Sequence, residues 1–334
     1  MLKIGILGAG FMGSTHTEAF ATLPDVKIVG ISSRSEEKAQ ALAEKYDAEP
    51  YTDALALATD PNVDAISNTL PTYLHRNLTI AALEAGKPVL LEKPMGLSVA
   101  ECDELIAVAE RTGQVLMIGQ TLRFWPEYMA IADFLKSSTL GKPLAATATR
   151  RLGPPRWANW FMDPELSGGE VLDLHIHDLD TLNWLFGPPK TIYTRGHRSP
   201  ESDGWDLAMS LVDYGDVKAY AEGNALQPPE YPFTMTLSVL CEHGSVEFRF
   251  RAGGVQVDSR DAGGSGLIVY EKGKEAYELE FEAGDGYVNA ASYFVESILT
   301  GRPLKRGTPE QGRLAVVTAL AARQSLETDQ VVAF

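Results

Sequence analysis

Cysteine is almost missing: Cys102 and Cys241 are the only two in 334 residues. They lie far apart and outside any metal-ligand spacing, which excludes a disulfide framework and a zinc knuckle and points to a reducing compartment. Basic charge is also scarce, with 29 Lys and Arg against 45 Asp and Glu and a net charge of −16. A surface of that sign repels phosphate backbones and anionic lipid, so it argues against a nucleic-acid or membrane partner; any anionic ligand must be held by local donors. No apolar run approaches the ~18 residues of a membrane span. Residues Met1 to Leu7 run straight into a strand pattern with no export signal, so a cytoplasmic protein is expected. What is present, 45% hydrophobic and 22% charged residues, suits a globular chain of about two domains.

Up to about residue 120, short apolar runs alternate with helical patterns. Strands are expected at Lys3 to Leu7, Val26 to Ser32, Ala65 to Asn68, Pro88 to Leu91 and Val115 to Ile118, with helices at Met12 to Leu23, Ser35 to Lys45, Tyr73 to Ala85 and Ser98 to Arg111. Ser98 with Glu101 makes a capping box. This β-α-β rhythm implies a Rossmann-type, doubly wound parallel sheet covered on both faces. After Arg123 the rhythm changes: a helix near Pro126, a Gly-, Pro- and Trp-rich loop from Leu152 to Gly169, then a helix stopped by Gly187-Pro188-Pro189. From Lys190 to Phe281 alternating strands with hairpin turns at His243-Gly244 and Lys272-Gly273 predict a large, predominantly antiparallel open sheet. Two closing helices follow, the second opened by the capping box Thr308-Pro309-Glu310-Gln311. The expected organisation is a dinucleotide-binding domain over 1–122 and an α+β domain for substrate binding and oligomerisation over 123–334.

The stretch Gly8-Ala9-Gly10-Phe11-Met12-Gly13 has G-x-G-x-x-G spacing between a strand and a helix. Gly8 suits the tight turn, Gly10 the approach of a pyrophosphate and Gly13 the close packing of helix on strand, with the phosphates on the free N–H groups of the helix start. About 20 residues on, where an NAD-preferring site offers an acid, this chain has Ser32-Ser33-Arg34. Hydroxyls and a guanidinium suit a 2′-phosphate, so NADP(H) is favoured; the other possibility is that Arg34 only stacks on adenine and NAD(H) is accepted too. At the end of the fourth long strand, Glu92-Lys93-Pro94 places a lysine where the nicotinamide end of the cofactor belongs.

Taken in order, "GAGFMG", "ISNTLPTYLHRN", "EKPMG", "IGQTLRFWPEY" and Ser167-Gly168-Gly169 leading to Asp173-x-x-x-His177 resemble the Gfo/Idh/MocA family of oxidoreductases over essentially the whole chain. The resemblance implies that Lys93 is the catalytic lysine beside the nicotinamide ribose and the substrate hydroxyl, and that Asp173 and His177 bind substrate and handle protons. It implies that Thr69, Leu70, Pro71 and His75 form the loop beside the cofactor's ribose and pyrophosphate, and that Gln120 and Arg123 line the nicotinamide and the way in for substrate. It also implies that Trp160 belongs to the substrate loop, and that the exposed face of the C-terminal sheet forms a homodimer or homotetramer. Ser167, Glu170 and His175 depart from the family's usual residues.

In "DLHIHDLD", residues 173–180, a regular helix would place Asp173 and His177 on one face and turn His175 about 200° from His177. An HxH chelate is therefore excluded, and one Asp with one His is too few ligands for a closed zinc site. Leu172, Ile176, Leu179, Leu182 and Phe186 form an apolar stripe, so Asp173, His177 and Asp180 could be only the wet face of that helix. With Lys93 and the glycine loop beside them, a proton-handling role is preferred: His177 as acid and base near pH 7, Lys93 stabilising alkoxide character or relaying the proton, Asp173 orienting. The expected function is NADP(H)-dependent interconversion of a hydroxyl and a carbonyl on a sugar, cyclitol or related substrate. The alternatives are a redox-neutral enzyme with retained cofactor and a cofactor-sensing regulator.

Overall fold

The computed structural model describes residues 1–154, 159–199, 202, 204–252 and 266–334. Residues 155–158 of the loop from Leu152 to Gly169, and 253–265 of the strand-rich region, lie outside it. The chain divides into two compact units, Met1–Trp125 with Gly284–Arg313, and Pro126–Ala283 with Leu314–Phe334.

The first unit runs β1 (Leu2–Leu7), α1 (Phe11–Ala21), β2 (Val26–Ser32), α2 (Glu36–Glu44), β3 (Glu49–Tyr51), α3 (Ala54–Thr59), β4 (Ala65–Asn68), α4 (His75–Glu84), β5 (Val89–Glu92), α5 (Val99–Thr112) and β6 (Leu116–Gly119). All strand pairs are parallel, in the order β3-β2-β1-β4-β5-β6. The order reverses between β1 and β4, which opens a crevice at the carboxyl ends of the strands. Residues of β4, β5 and β6 are buried throughout, as expected of strands covered on both faces. Strand β3 and helix α3 escape a periodicity reading because three and six residues are too few to show one. Ser98 caps α5 by accepting the Glu101 N–H at 3.2 Å. The Glu101 carboxylate, however, accepts from Leu97 N–H at 2.7 Å, so the expected box closes one residue early.

The second unit contains α6 (Pro126–Lys136), β7 (Pro143–Arg151), α7 (Pro164–Ser167), a π turn (Val171–His175), α8 (Ile176–Phe186), β8 (Thr191–Arg198), β9 (Trp205–Asp213), β10 (Lys218–Asn224), β11 (Thr234–Cys241), β12 (Gly244–Arg251), β13 (Gly266–Glu271) and β14 (Tyr277–Glu278). Helix α9 (Gly286–Thr300) returns to the first unit, α10 (Pro309–Thr328) begins there and ends in the second, and β15 (Val332–Ala333) closes the chain. The return of α9 differs from the expected contiguous domains. It is driven by packing with α1, where Phe294 meets Phe20 edge to face at 6.4 Å, a pairing that local sequence pattern does not reveal.

The nine-stranded sheet has the order β14-β13-β12-β11-β7-β10-β9-β8-β15. Its pairs are antiparallel except β7 with β10. Alternation along β9 buries Asp206, Ala208, Ser210 and Val212 and turns Leu207, Met209 and Leu211 outward, which is the period-2 pattern of a sheet with one covered face. Among the described residues no helix is long and apolar enough to cross a membrane.

Candidate functional site

The three glycines at the end of β1 each meet a different steric demand. Gly8 has φ +109°, and a Cβ there would stand 2.9 Å from Thr69 Oγ1. At Gly13 a Cβ would fall 1.9 Å from the Gly8 carbonyl oxygen, whereas at Gly10 it would meet nothing within 4 Å. The turn and the helix packing are thus closed, and the space over Gly10 is open. Gly10 is the N-cap of α1 and makes no side-chain cap, so the first N–H groups of the helix point at that space. This is the arrangement that receives a pyrophosphate. Phe11 lies exposed at the rim, and Met12 is half-buried.

At the end of β2, Arg34 is exposed and Ser33 half-buried, its hydroxyl accepting the Ser35 N–H at 3.2 Å. Ser32 is buried, and its hydroxyl is enclosed without a hydrogen-bond partner. After β4, Thr69 braces the glycine turn, its Oγ1 donating to the Leu7 carbonyl at 2.8 Å. His75 ties this loop to the next, Nε2 lying 2.7 Å from the Leu70 carbonyl and Nδ1 2.8 Å from the Pro94 carbonyl. Burial pulls its pKa below the ordinary histidine value, outweighing the two carbonyls and the charge of Glu92. Pro71, between these partners, is half-buried, and the Lys93-Pro94 peptide is cis.

Glu92 ends β5 inside the protein, 4% exposed. His16, on α1, lies 2.8 Å from Glu92 Oε1 through Nε2 and 2.8 Å from Ser67 Oγ through Nδ1. The other carboxylate oxygen accepts the Lys93 N–H at 3.1 Å. Burial raises the Glu92 pKa, but the His16 hydrogen bond and the charges of His16 and Lys93 outweigh it, so the net shift is downward and the group is a carboxylate. Its acceptor role fixes the Nε2 proton of His16. Lys93 is half-buried at the carboxyl end of β5. Gln120, just past β6, is buried with neither amide atom hydrogen-bonded, leaving a donor and an acceptor unmet. Arg123 is buried in the 3₁₀ turn Thr121–Phe124.

In the second unit the first turn of "DLHIHDLD" is wider than a regular helix: Val171–His175 form a π turn that runs into α8. Asp173 and His177 are the half-buried members of the stretch, whereas His175, Asp178 and Asp180 are buried. Asp180 does not belong to a wet face, so that description of the helix holds only for Asp173 and His177. Asp178 is held by Arg150 of β7, Nε donating at 3.1 Å to Oδ2 and Nη2 at 3.3 Å to Oδ1. Burial raises the Asp178 pKa and Arg150 lowers it, with burial prevailing. Trp160 is half-buried, set edge to face on Phe161 at 5.6 Å.

Two family models match the chain, that of an oxidoreductase family with an NAD-binding Rossmann fold over residues 2–120 and that of the GFO/IDH/MocA C-terminal domain over residues 128–247. The chain belongs to the Gfo/Idh/MocA family of oxidoreductases. It is similar to a myo-inositol 2-dehydrogenase of Thermotoga maritima, 25% identical across 99% of this chain and 98% of that protein. It is also similar to a 1,5-anhydro-D-fructose reductase of Ensifer adhaerens, 31% identical across 55% of this chain and 56% of that one. The solved structure of GenD2 from gentamicin A biosynthesis, in complex with NAD, superposes with a TM-score of 0.86 at 24% identity, covering 100% of this chain and 96% of that one, and shares its fold. Like the family, this chain is an oxidoreductase with a Rossmann domain of the NAD(P)-binding kind.

Within the Gfo/Idh/MocA frame, the first unit gathers Gly8 to Gly13, Ser33, Arg34, Thr69 to Pro71, His75, Glu92, Lys93 and Gln120 at the carboxyl ends of five strands. Sequence reasoning missed His16, Ser67, Arg150 and Ser210. A histidine three residues past the last glycine of the loop, on the same helix, is the one local signal among them; the others act through partners far along the chain. Among the described residues no group of three His, Cys, Asp or Glu is placed to hold a metal.

Proposed function

We propose that this Gfo/Idh/MocA oxidoreductase interconverts a secondary hydroxyl and a carbonyl on a sugar, cyclitol or sugar-derived substrate, with NADP(H) preferred over NAD(H). The observation that carries the proposal is the setting of Lys93, whose backbone is held by a buried carboxylate that is itself held by His16. Such anchoring suits a cation that must stay beside a reacting oxygen. When bound, the nicotinamide supplies or takes up the hydride. His177 takes the hydroxyl proton on oxidation and returns it on reduction, Lys93 stabilises alkoxide character on the same oxygen, and Asp173 orients substrate and imidazole. Arg123 and Trp160 contribute hydrogen bonding and a ring face to a hydroxyl-rich ligand. The names of the Thermotoga and Ensifer relatives, both acting on polyhydroxy rings, support the substrate class.

The test is the appearance or loss of reduced nicotinamide absorbance over a panel of inositols, aldoses, anhydro sugars and their keto forms. Lys93→Ala is expected to lower kcat about 10²- to 10³-fold with cofactor affinity kept; undiminished turnover would overturn the mechanism, and cofactor binding with no turnover on any compound would indicate a sensor. Arg34 carries the cofactor preference. Its replacement by Ala removes a charge-assisted bond of about 1.5–3 kcal/mol, so KM for NADP should rise about 10- to 100-fold with that for NAD unchanged. We further propose cytoplasmic action, in which the two buried cysteines stay thiols, and a homodimer or homotetramer formed through the outer face of the nine-stranded sheet. Leu211, 60% exposed there, is the probe: Leu211→Glu should shift sedimentation to a smaller species.

A further inference from the structure

His175 takes no part in the proposed chemistry, yet it is one of the most enclosed polar groups in the second unit, 1% exposed. Its Nε2 lies 2.8 Å from Ser210 Oγ on β9, and that hydroxyl lies 2.9 Å from Thr194 Oγ1 on β8. Both hydroxyl residues are fully buried. Its Nδ1 is enclosed with no hydrogen-bond partner. An orphaned buried N–H is rarer than an orphaned acceptor, so the ring proton sits on Nε2 and donates to Ser210, which donates to Thr194. Burial keeps the ring neutral, its pKa pulled down to about 4 against the opposing charge of Glu222. A ring in that state does not exchange protons with a substrate near neutral pH.

The far side of the ring rests on β10. A Cβ added at Gly223 would stand 2.9 Å from His175 Cβ and 3.1 Å from Nδ1, so only glycine lets the histidine sit this close to the sheet. His175 is also the last residue of the π turn. Such turns are uncommon and occur mostly as single turns within α-helices, frequently at functional sites. Here Asp173 lies inside the wider π turn and His177 in the α-helix that follows it. Rewinding the turn to α register would change the angle between Asp173 and His177 from the one the π turn sets.

We propose that His175 is a positioning residue: bonded to Ser210 and seated on Gly223, it holds the π turn that sets the angle between Asp173 and His177. The proposal rests on the reading of that pair as the proton-handling site. Three variants test it in the full chain. His175→Gln keeps a donor at the ε position, His175→Leu keeps bulk without a donor, and Gly223→Ala displaces the ring with its donor intact. In crystal structures the Leu and Ala variants should show residues 171–177 in α register, and the Gln variant should keep the π turn. On the most active compound of the sugar and inositol panel, kcat should fall about 100-fold in the Leu variant and stay close to wild type in the Gln variant. Affinity for NADP should be unchanged, and so should the midpoint of the pH profile of kcat/KM. A π turn kept by both the Leu and the Ala variants, or loss of the pH limb in the Gln variant, would overturn the proposal. If the wild-type protein turns over no compound of the panel, the functional reading fails on its own, and the register of 171–177 in the three variants still decides whether His175 sets the turn.

Discussion

The glycine cradle of the first unit and the "DLHIHDLD" helix of the second are built in opposite ways. The cradle is mostly backbone: a left-handed turn at Gly8, an open space over Gly10, the N–H groups at the start of α1, and carbonyls gathered around His75. The helix instead presents two side chains, and their orientation depends on buried polar partners elsewhere on the sheet, Arg150 for Asp178 and Ser210 for His175. A site made of backbone fails when an atom intrudes. A site made of anchored side chains fails when a distant partner is lost.

That contrast can be broken deliberately. The largest effect on stability is expected at Arg150, where Arg150→Met leaves the Asp178 carboxyl buried and unpaired. Losing one member of such a pair costs about 3–5 kcal/mol, to be read by denaturant titration, with NADP affinity of the folded protein unchanged. Next comes a pH effect from His175. Its folded pKa of about 4 lies below the ordinary 6.5, so the unfolded chain binds more protons between those values. The contribution is complete above pH 6.5 and is lost as pH falls toward 4, by about 3 kcal/mol in all. His175→Leu should remove that part of the pH dependence. In the cradle the effects are smaller and steric. Gly13→Ala forces a methyl against a backbone oxygen and should cost about 1–3 kcal/mol together with cofactor affinity. Gly10→Ala should leave stability within about 0.5 kcal/mol, because the N-cap has an ordinary φ of −88° and open space beside it. The same methyl occupies the place of the pyrophosphate and should weaken NADP binding about tenfold or more. A Gly10→Ala variant that loses stability but binds cofactor normally would erase the distinction.

The same contrast explains what was legible in the sequence. Gly8, Gly10 and Gly13 are required by backbone geometry at fixed local spacing, so their pattern announces the turn, the strand before it and the helix after it. The parallel order of β1, β4, β5 and β6 follows from the same β-α-β rhythm. For Lys93, Asp173 and His177, the family resemblance supplied what periodicity left open between a site and a solvated face. The π turn was not legible, because nothing in Val171 to His175 departs from helical patterning; its cause lies at Ser210 and Gly223, which are 35 and 48 positions away along the chain. The return of α9 to the first unit rests on Phe294 and Phe20, a contact between opposite ends of the chain.

Helix α1 links two places that the cradle keeps apart. Its start faces the open space at Gly10, and about 9 Å along its axis His16 is fastened to the carboxylate beneath Lys93. The helix is thus a single rod that joins the open N–H groups at its start to the carboxylate holding the Lys93 backbone.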